Sequence, residues 1–128
     1  MGDDMPACEL NVVLNEDSFY GYPYKHATDV LDPEYSNKIP ADADEFIDPI
    51  LELGAHVAPT GLSFYDGDLF PTKYKNTLFM TLHGSWNRSR KVGYKVIAVY
   101  FDENGELLYQ KDFITGWLQK NNGQEKVL

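Results

Sequence analysis

The sequence predicts an all-β chain built around one four-stranded antiparallel unit over residues 61–113, accompanied by long irregular loops. Three observations carry this. Runs rich in β-branched and aromatic residues recur through the second half with turn residues between them. The Asn104-Gly105 pair marks a hairpin. The first half is punctuated by Pro33, Pro40 and Pro49, which prevent any long regular element there.

In order, residues 61–65 (GLSFY) read as a first strand, followed by turn chemistry at Asp66-Gly67-Asp68 and Pro71. Residues 77–82 (TLFMTL) form a nearly continuous apolar run, the pattern of a central strand buried on both faces. A loop over 83–92 leads to residues 93–101 (GYKVIAVYF), the longest strand, and Asp102-Glu103-Asn104-Gly105 turns it into residues 106–113 (ELLYQKDF). Lys111 and the mixed polarity of that last strand suit a sheet edge. Four sequential strands of this length match one propeller blade of about 40 to 50 residues. A four-stranded meander in a small β or α+β domain has the same pattern, so both readings stand at this point. The smallest closed propeller needs about 160 residues, more than the 128 present. A blade here therefore implies an incomplete ring.

Upstream, residues 9–14 (ELNVVL) read as a strand, and Phe19-Tyr20-Gly21-Tyr22-Pro23-Tyr24 as a rigid aromatic turn. The acidic, proline-rich stretch over 26–49 is a long loop, of the kind that serves function or leans on a larger scaffold.

Eleven basic residues against 20 acidic ones leave a formal charge of −9. Nucleic-acid binding needs clustered cations to displace counterions, and an anionic membrane repels such a chain. No apolar run approaches the roughly 20 residues that span a bilayer, so a soluble chain is expected. The first residues lack a basic leader and an apolar core, so no secretion signal is expected in them. A single cysteine, Cys8, excludes an intramolecular disulfide and a thiolate zinc cluster.

The densest chemistry lies in His83-Gly84-Ser85-Trp86-Asn87-Arg88-Ser89, directly after the buried strand. A loop with an imidazole, a hydroxyl, an indole, an amide and a guanidinium can present donors to an anionic ligand and a flat face to an aromatic one. The same residues can instead be structural, Trp86 filling an interface and Arg88 capping carbonyls. His56 lies on a second Gly- and Pro-bounded loop. Serine catalysis fails the local test, because Ser85 has no G-x-S-x-G elbow. His26, His56 and His83 show no metal-ligand spacing, and Asp42-Ala43-Asp44 lacks the glycine and terminal glutamate of a calcium loop. Asp3, Asp4 and Glu9 could offer hard oxygens, although acids near a terminus are usually solvated.

Gly2-Asp3-Asp4-Met5-Pro6 through Glu9-Leu10-Asn11, then Tyr20-Gly21-Tyr22-Pro23-Tyr24, His56-Val57-Ala58-Pro59, His83 to Ser89, and Gly93-Tyr94-Lys95-Val96 together resemble the glucose/sorbosone dehydrogenase family. The resemblance runs to about Gly116-Trp117-Leu118-Gln119. It implies a six-bladed β-propeller that oxidises aldoses with pyrroloquinoline quinone (PQQ) held through calcium. A histidine base takes the anomeric proton while hydride passes to the quinone. Carried over by position, His56, His83, Ser85, Asn87 and Arg88 would face the cofactor, and Glu9, by its carboxylate, and Tyr20, by its backbone carbonyl, would belong to a calcium site. The segments of that family carrying the base and the catalytic calcium have no counterpart here, and Cys8 stands where an acid is usual. The resemblance thus implies a fragment of about one and a half to two blades, inactive alone. Its expected partners are a sugar and an electron acceptor, and its whole protein is expected in the periplasm or secreted. The alternative is a non-catalytic propeller-derived module that binds carbohydrate or protein. Missing blades would leave apolar sheet surface open, so association is expected.

Overall fold

The computed structural model describes every residue except Met1, Asp42, Asp44 and Trp86. It is all-β, with only two single-turn 3-10 segments, Ser36–Lys38 and Thr72–Tyr74, among the described residues. The chain divides into two compact units, Met1–Ala55 and His56–Leu128.

The first unit is held mainly by polar ties. Strand β1 (Cys8–Leu10) pairs antiparallel with β4 (Leu51–Gly54), and in the sequence between them β2 (Lys25–His26) and β3 (Val30–Leu31) form a separate two-residue ladder. The strand expected over 9–14 stops at Leu10, because its partner runs into Pro49, which has no N–H for a further rung. Val13 and Leu14 are consequently exposed. Buried apolar side chains are few here: Leu10, Ala27 and Ala55 among the described residues. Carboxylates take over part of the role of a core by accepting backbone N–H groups. Glu9 accepts from Ala27, Glu52 from Thr28 at 2.9 Å, and Asp32 from Glu34 and Tyr35 at 2.9 Å. Phe19, Tyr24 and Phe46 form an aromatic cluster, Phe19 meeting Phe46 edge-on at 5.1 Å. The segment over 26–49 contains no longer regular element among its described residues.

The second unit contains the expected meander. Strands β5 (Pro59–Phe64), β6 (Leu78–Leu82), β7 (Lys95–Phe101) and β8 (Leu107–Ile114) pair in sequence order, all antiparallel. β5 and β8 are its edges, and Lys111 is on the latter, as its polarity predicts. The third strand begins two residues later than its composition indicates, since Gly93 and Tyr94 have φ of 82° and 53° and cannot extend the ladder. At the β7–β8 hairpin only Gly105 adopts positive φ, and Asp102 closes the turn by accepting from the Asn104 and Glu106 N–H groups.

Register places Leu78, Met80 and Leu82 beside Ile97 and Val99 on one face, all five buried. On the other face Phe79 packs against Phe113 with centroids 4.4 Å apart. The excursion over 65–77 brings Tyr65, Phe70 and Tyr74 onto this cluster, and is closed by Tyr65 and Asn76 exchanging backbone bonds with Thr77 and Tyr65. Aromatic contacts of this kind each add about 0.5 to 1.5 kcal/mol beyond area burial. After β8, strands β9 (Leu118–Asn121) and β10 (Gln124–Val127) form a separate hairpin around Asn122 and Gly123. No helix of the described residues is long and apolar enough to cross a membrane.

Candidate functional site

Three stretches meet at the end of the meander where β5 and β7 begin and β6 ends. The β5–β6 ladder continues past its last strand pair, His83 N–H donating to Ala58 O at 3.0 Å and Gly84 N–H to Val57 O at 2.9 Å. The 92–94 stretch closes over this seam. A Cβ on Gly93 would lie 2.7 Å from Gly84 Cα and 3.1 Å from Val57 O, so only glycine fits. Of six non-glycine residues with positive φ among those described, three lie in this corner: His56 (61°), Ala58 (48°) and Tyr94 (53°). Such conformations cost about 1 to 3 kcal/mol each and gather where geometry serves a site.

From this corner springs the polar loop over 83–92. Ser85 is buried at its root, its N–H donating to Val92 O at 3.2 Å and its Oγ accepting from Val92 N–H at 3.0 Å. Tyr94 Oη donates to Ser85 O at 3.5 Å. Lys91 N–H donates to Glu125 Oε2 at 2.7 Å, so the β9–β10 hairpin braces the far end of the loop. That bond, with a further one from Lys120, holds the Glu125 carboxyl below the ordinary carboxylate range.

The structure thus unites some of the expected ligands and separates others. His56 lies in the turn that leads into β5 and His83 directly after β6, His83 exposed and His56 part-buried. Asn87 is exposed and Arg88 part-buried on the same loop. Ser85 stands apart in kind: its hydroxyl ties Val92 inside the loop. Trp86, singled out in the sequence, lies outside the described residues, as do Asp42 and Asp44. Tyr94, Gly84, Gly93 and Glu125 were not readable as site residues. The Gly93-Tyr94 pair at the mouth of a long strand was the one local signal.

Glu9 and Tyr20 belong to the first unit, and their side chains have separate partners. Glu9 Oε1 accepts from Ala27 N–H and Oε2 from Asn11 Nδ2 at 3.2 Å, while Tyr20 Oη donates to Val12 O at 2.7 Å. Among the described residues no group of three or more His, Cys, Asp or Glu side chains could hold a metal ion. Both Glu9 carboxylate oxygens thus already accept N–H groups, while the bond of Tyr20 is made by its hydroxyl and not by the carbonyl expected to serve calcium.

Comparison with known proteins identifies the lineage. The model of the family described as TrAA12-like matches residues 34–120. Two solved structures, the calcium and the iodide structures of Trichoderma reesei Carbohydrate-Active Enzymes Family AA12, superpose with TM-scores of 0.56 and 0.57 at 28% and 29% identity. Each superposition covers 88% of this chain, but 32% and 33% of those chains. An uncharacterized protein of Borreliella burgdorferi is 38% identical over 97% of this chain and 33% of its own length. The chain therefore spans about one third of these relatives. The kinship expected from the motifs, with the glucose/sorbosone dehydrogenase family, is corrected by these findings: the matching family model and both structural neighbours are of the AA12 kind.

Proposed function

The chain belongs to the TrAA12-like family, and on that premise we propose that it is part of an oxidoreductase acting on an aldose sugar, with PQQ as the electron-accepting cofactor. In this reading the β5–β8 meander is one blade of a larger propeller. Its strand order and length support that, as does the one-third share of its relatives. The single observation that carries the proposal is the strained, glycine-tight seam from which the loop bearing His83, Asn87 and Arg88 projects.

The donor set suits a planar polycarboxylate. Arg88, Asn87 and His83 offer a guanidinium, an amide and an imidazole from one loop, and charge-assisted bonds to carboxylates are the strong ones. His56 borders the same seam. Ser85 and Val92 hold the loop's root so that these donors stay in place. Bound quinone would supply the hydride acceptor, and the chain's own residues would bind and orient it. No catalytic base is assigned to these 128 residues, and Glu9, committed to Ala27 and Asn11, is not assigned to calcium.

The test is made on the longer protein that carries this chain. Supplied with PQQ, calcium and an aldose, it should reduce an artificial acceptor in a quinone-dependent way, and Arg88→Ala should weaken quinone binding. The 128 residues alone should not turn over. Absence of quinone-dependent reduction by the longer protein overturns the proposal, and turnover by the 128 residues overturns the assignment of the base elsewhere.

A further inference from the structure

We infer that Tyr94 is a positioning residue for this site: its ring sets the direction of the His83 imidazole and the course of the loop's first turn, and so the affinity for the quinone. The inference rests on the reading of the 83–92 loop as the quinone-binding element and names the residue through which that element is held.

One ring reaches three consecutive residues. It lies part-buried against Gly84, where an added Cβ would stand 2.4 to 2.6 Å from Cε2, Cζ and Cδ2. Its centroid is 6.3 Å from that of the His83 ring, with the two planes at 40°. Its Oη meets Ser85 O only at 3.5 Å, the outer limit of a hydrogen bond, so the ring carbons and not the hydroxyl make the contact that matters. The ring is itself fixed from behind. Tyr94 has a φ of 53°, and a Cβ on the preceding Gly93 would stand 2.7 Å from Gly84 Cα and 3.1 Å from Val57 O. A residue with a side chain keeps such a φ only where its surroundings over-determine it.

Backbone bonds fix where His83 starts but not where its imidazole goes. Its N–H donates to Ala58 O and the Gly84 N–H to Val57 O, while the His83 side chain is exposed. An exposed side chain samples several rotamers, and a ligand that selects one of them loses affinity to the ordering. The Tyr94 ring removes part of that freedom before the ligand arrives. Because it also leaves no room for a side chain at position 84, the backbone between the imidazole and Ser85 follows one course.

The test is made on the longer protein that carries this chain, with Tyr94→Phe, which keeps the ring, and Tyr94→Leu, which removes it. Both substitutions leave the same positive-φ cost in place. The imidazole signals of His83, identified by their loss in His83→Gln, are followed by NMR without quinone, and quinone affinity and kcat are measured separately. Tyr94→Leu should shift the His83 signals and weaken quinone binding about fivefold or more, with kcat at saturating quinone within about twofold. Tyr94→Phe should stay close to the unmodified protein in all three readouts. In a His83→Ala background Tyr94→Leu should cost clearly less, since the ring acts partly through the imidazole.

Unmoved His83 signals with unchanged affinity in Tyr94→Leu, equal losses in Tyr94→Phe and Tyr94→Leu, or full additivity with His83→Ala overturns the inference. If Tyr94→Leu does not fold, the unmodified protein decides: nuclear Overhauser contacts between the Tyr94 and His83 ring protons are expected, and their absence overturns it. A ring-dependent shift of His83 in a protein without quinone-dependent reduction removes the quinone reading and leaves the positioning of His83 standing. Quinone-dependent reduction with His83 indifferent to Tyr94→Leu does the reverse.

Discussion

The ring of Tyr94 lies directly against Gly84, so closely that a Cβ at position 84 would stand 2.4 Å from Tyr94 Cε2. Both residues have left-handed backbones, with φ of 108° at Gly84 and 53° at Tyr94. The pair locks the root of the 83–92 loop between the β6 and β7 ends.

Gly84→Ala should therefore lower stability by at least about 2 kcal/mol, since it adds both a backbone penalty and a steric one. Denaturant unfolding measures the loss. Removing the ring by Tyr94→Gly in the same chain should recover part of it, and a simple sum of the two single effects would contradict the contact.

Acid should loosen the loop before it unfolds the sheet. The folded Glu125 carboxyl lies below its ordinary value of 4.5 because Lys91 N–H and Lys120 bond to it. A depressed carboxylate contributes its full stabilisation above the ordinary value and loses it as pH falls through the lowered one. Hydrogen-exchange protection at the Lys91 amide should thus decline below about pH 4.5. In Glu125→Gln this pH dependence should vanish, and its persistence would assign the transition to another group.

Glu9 is a clamp for the first unit. Its carboxylate accepts from the N–H of Ala27, a buried residue held at φ 50°. Glu9→Ala should cost about 1.5 to 3 kcal/mol, the range for a hydrogen bond to a charged group. With both Glu9 oxygens already accepting N–H groups, added calcium should leave the melting temperature of the 128-residue chain unchanged, and a calcium-dependent rise lost in Glu9→Ala would place the ion at Glu9.

The β5 edge should make the chain self-associate. All six of its residues are exposed, with Leu62 at 62% and Phe64 at 58%. An open edge with apolar side chains is a template for pairing. Sedimentation should show concentration-dependent association, weakened when Leu62→Lys and Phe64→Lys are combined. A concentration-independent monomer would refute this.

The meander was legible because each strand carries its own signal. Residues 78–82 and 95–101 are dense in β-formers and are separated by turn chemistry. The β9–β10 hairpin is hard to see in the sequence, although Asn122-Gly123 is a hairpin signal. Its strands are too polar to show a buried face, and they are joined by backbone pairing and the Lys120–Glu125 ion pair at 3.2 Å. β4 was hidden for a different reason, since its partner β1 lies some forty residues earlier. The loop over 83–88 was legible by residue type. The role of Ser85 was not, because a hydroxyl that could face a ligand is chemically identical to one that ties Val92.

Local chemistry in the chain itself determined where it could extend, where it must turn, and which loop carries imidazole, amide and guanidinium groups together. Those properties belong to single residues and their near neighbours. Tertiary structure alone decided that the stretches around Val57, Gly84 and Gly93 share one seam, that Glu9 serves Ala27, and that the ring of Tyr94 lies beside that of His83. Hydrogen bonds and steric exclusion between residues far apart in sequence exist only once the backbone has closed, so no run of residues announces them.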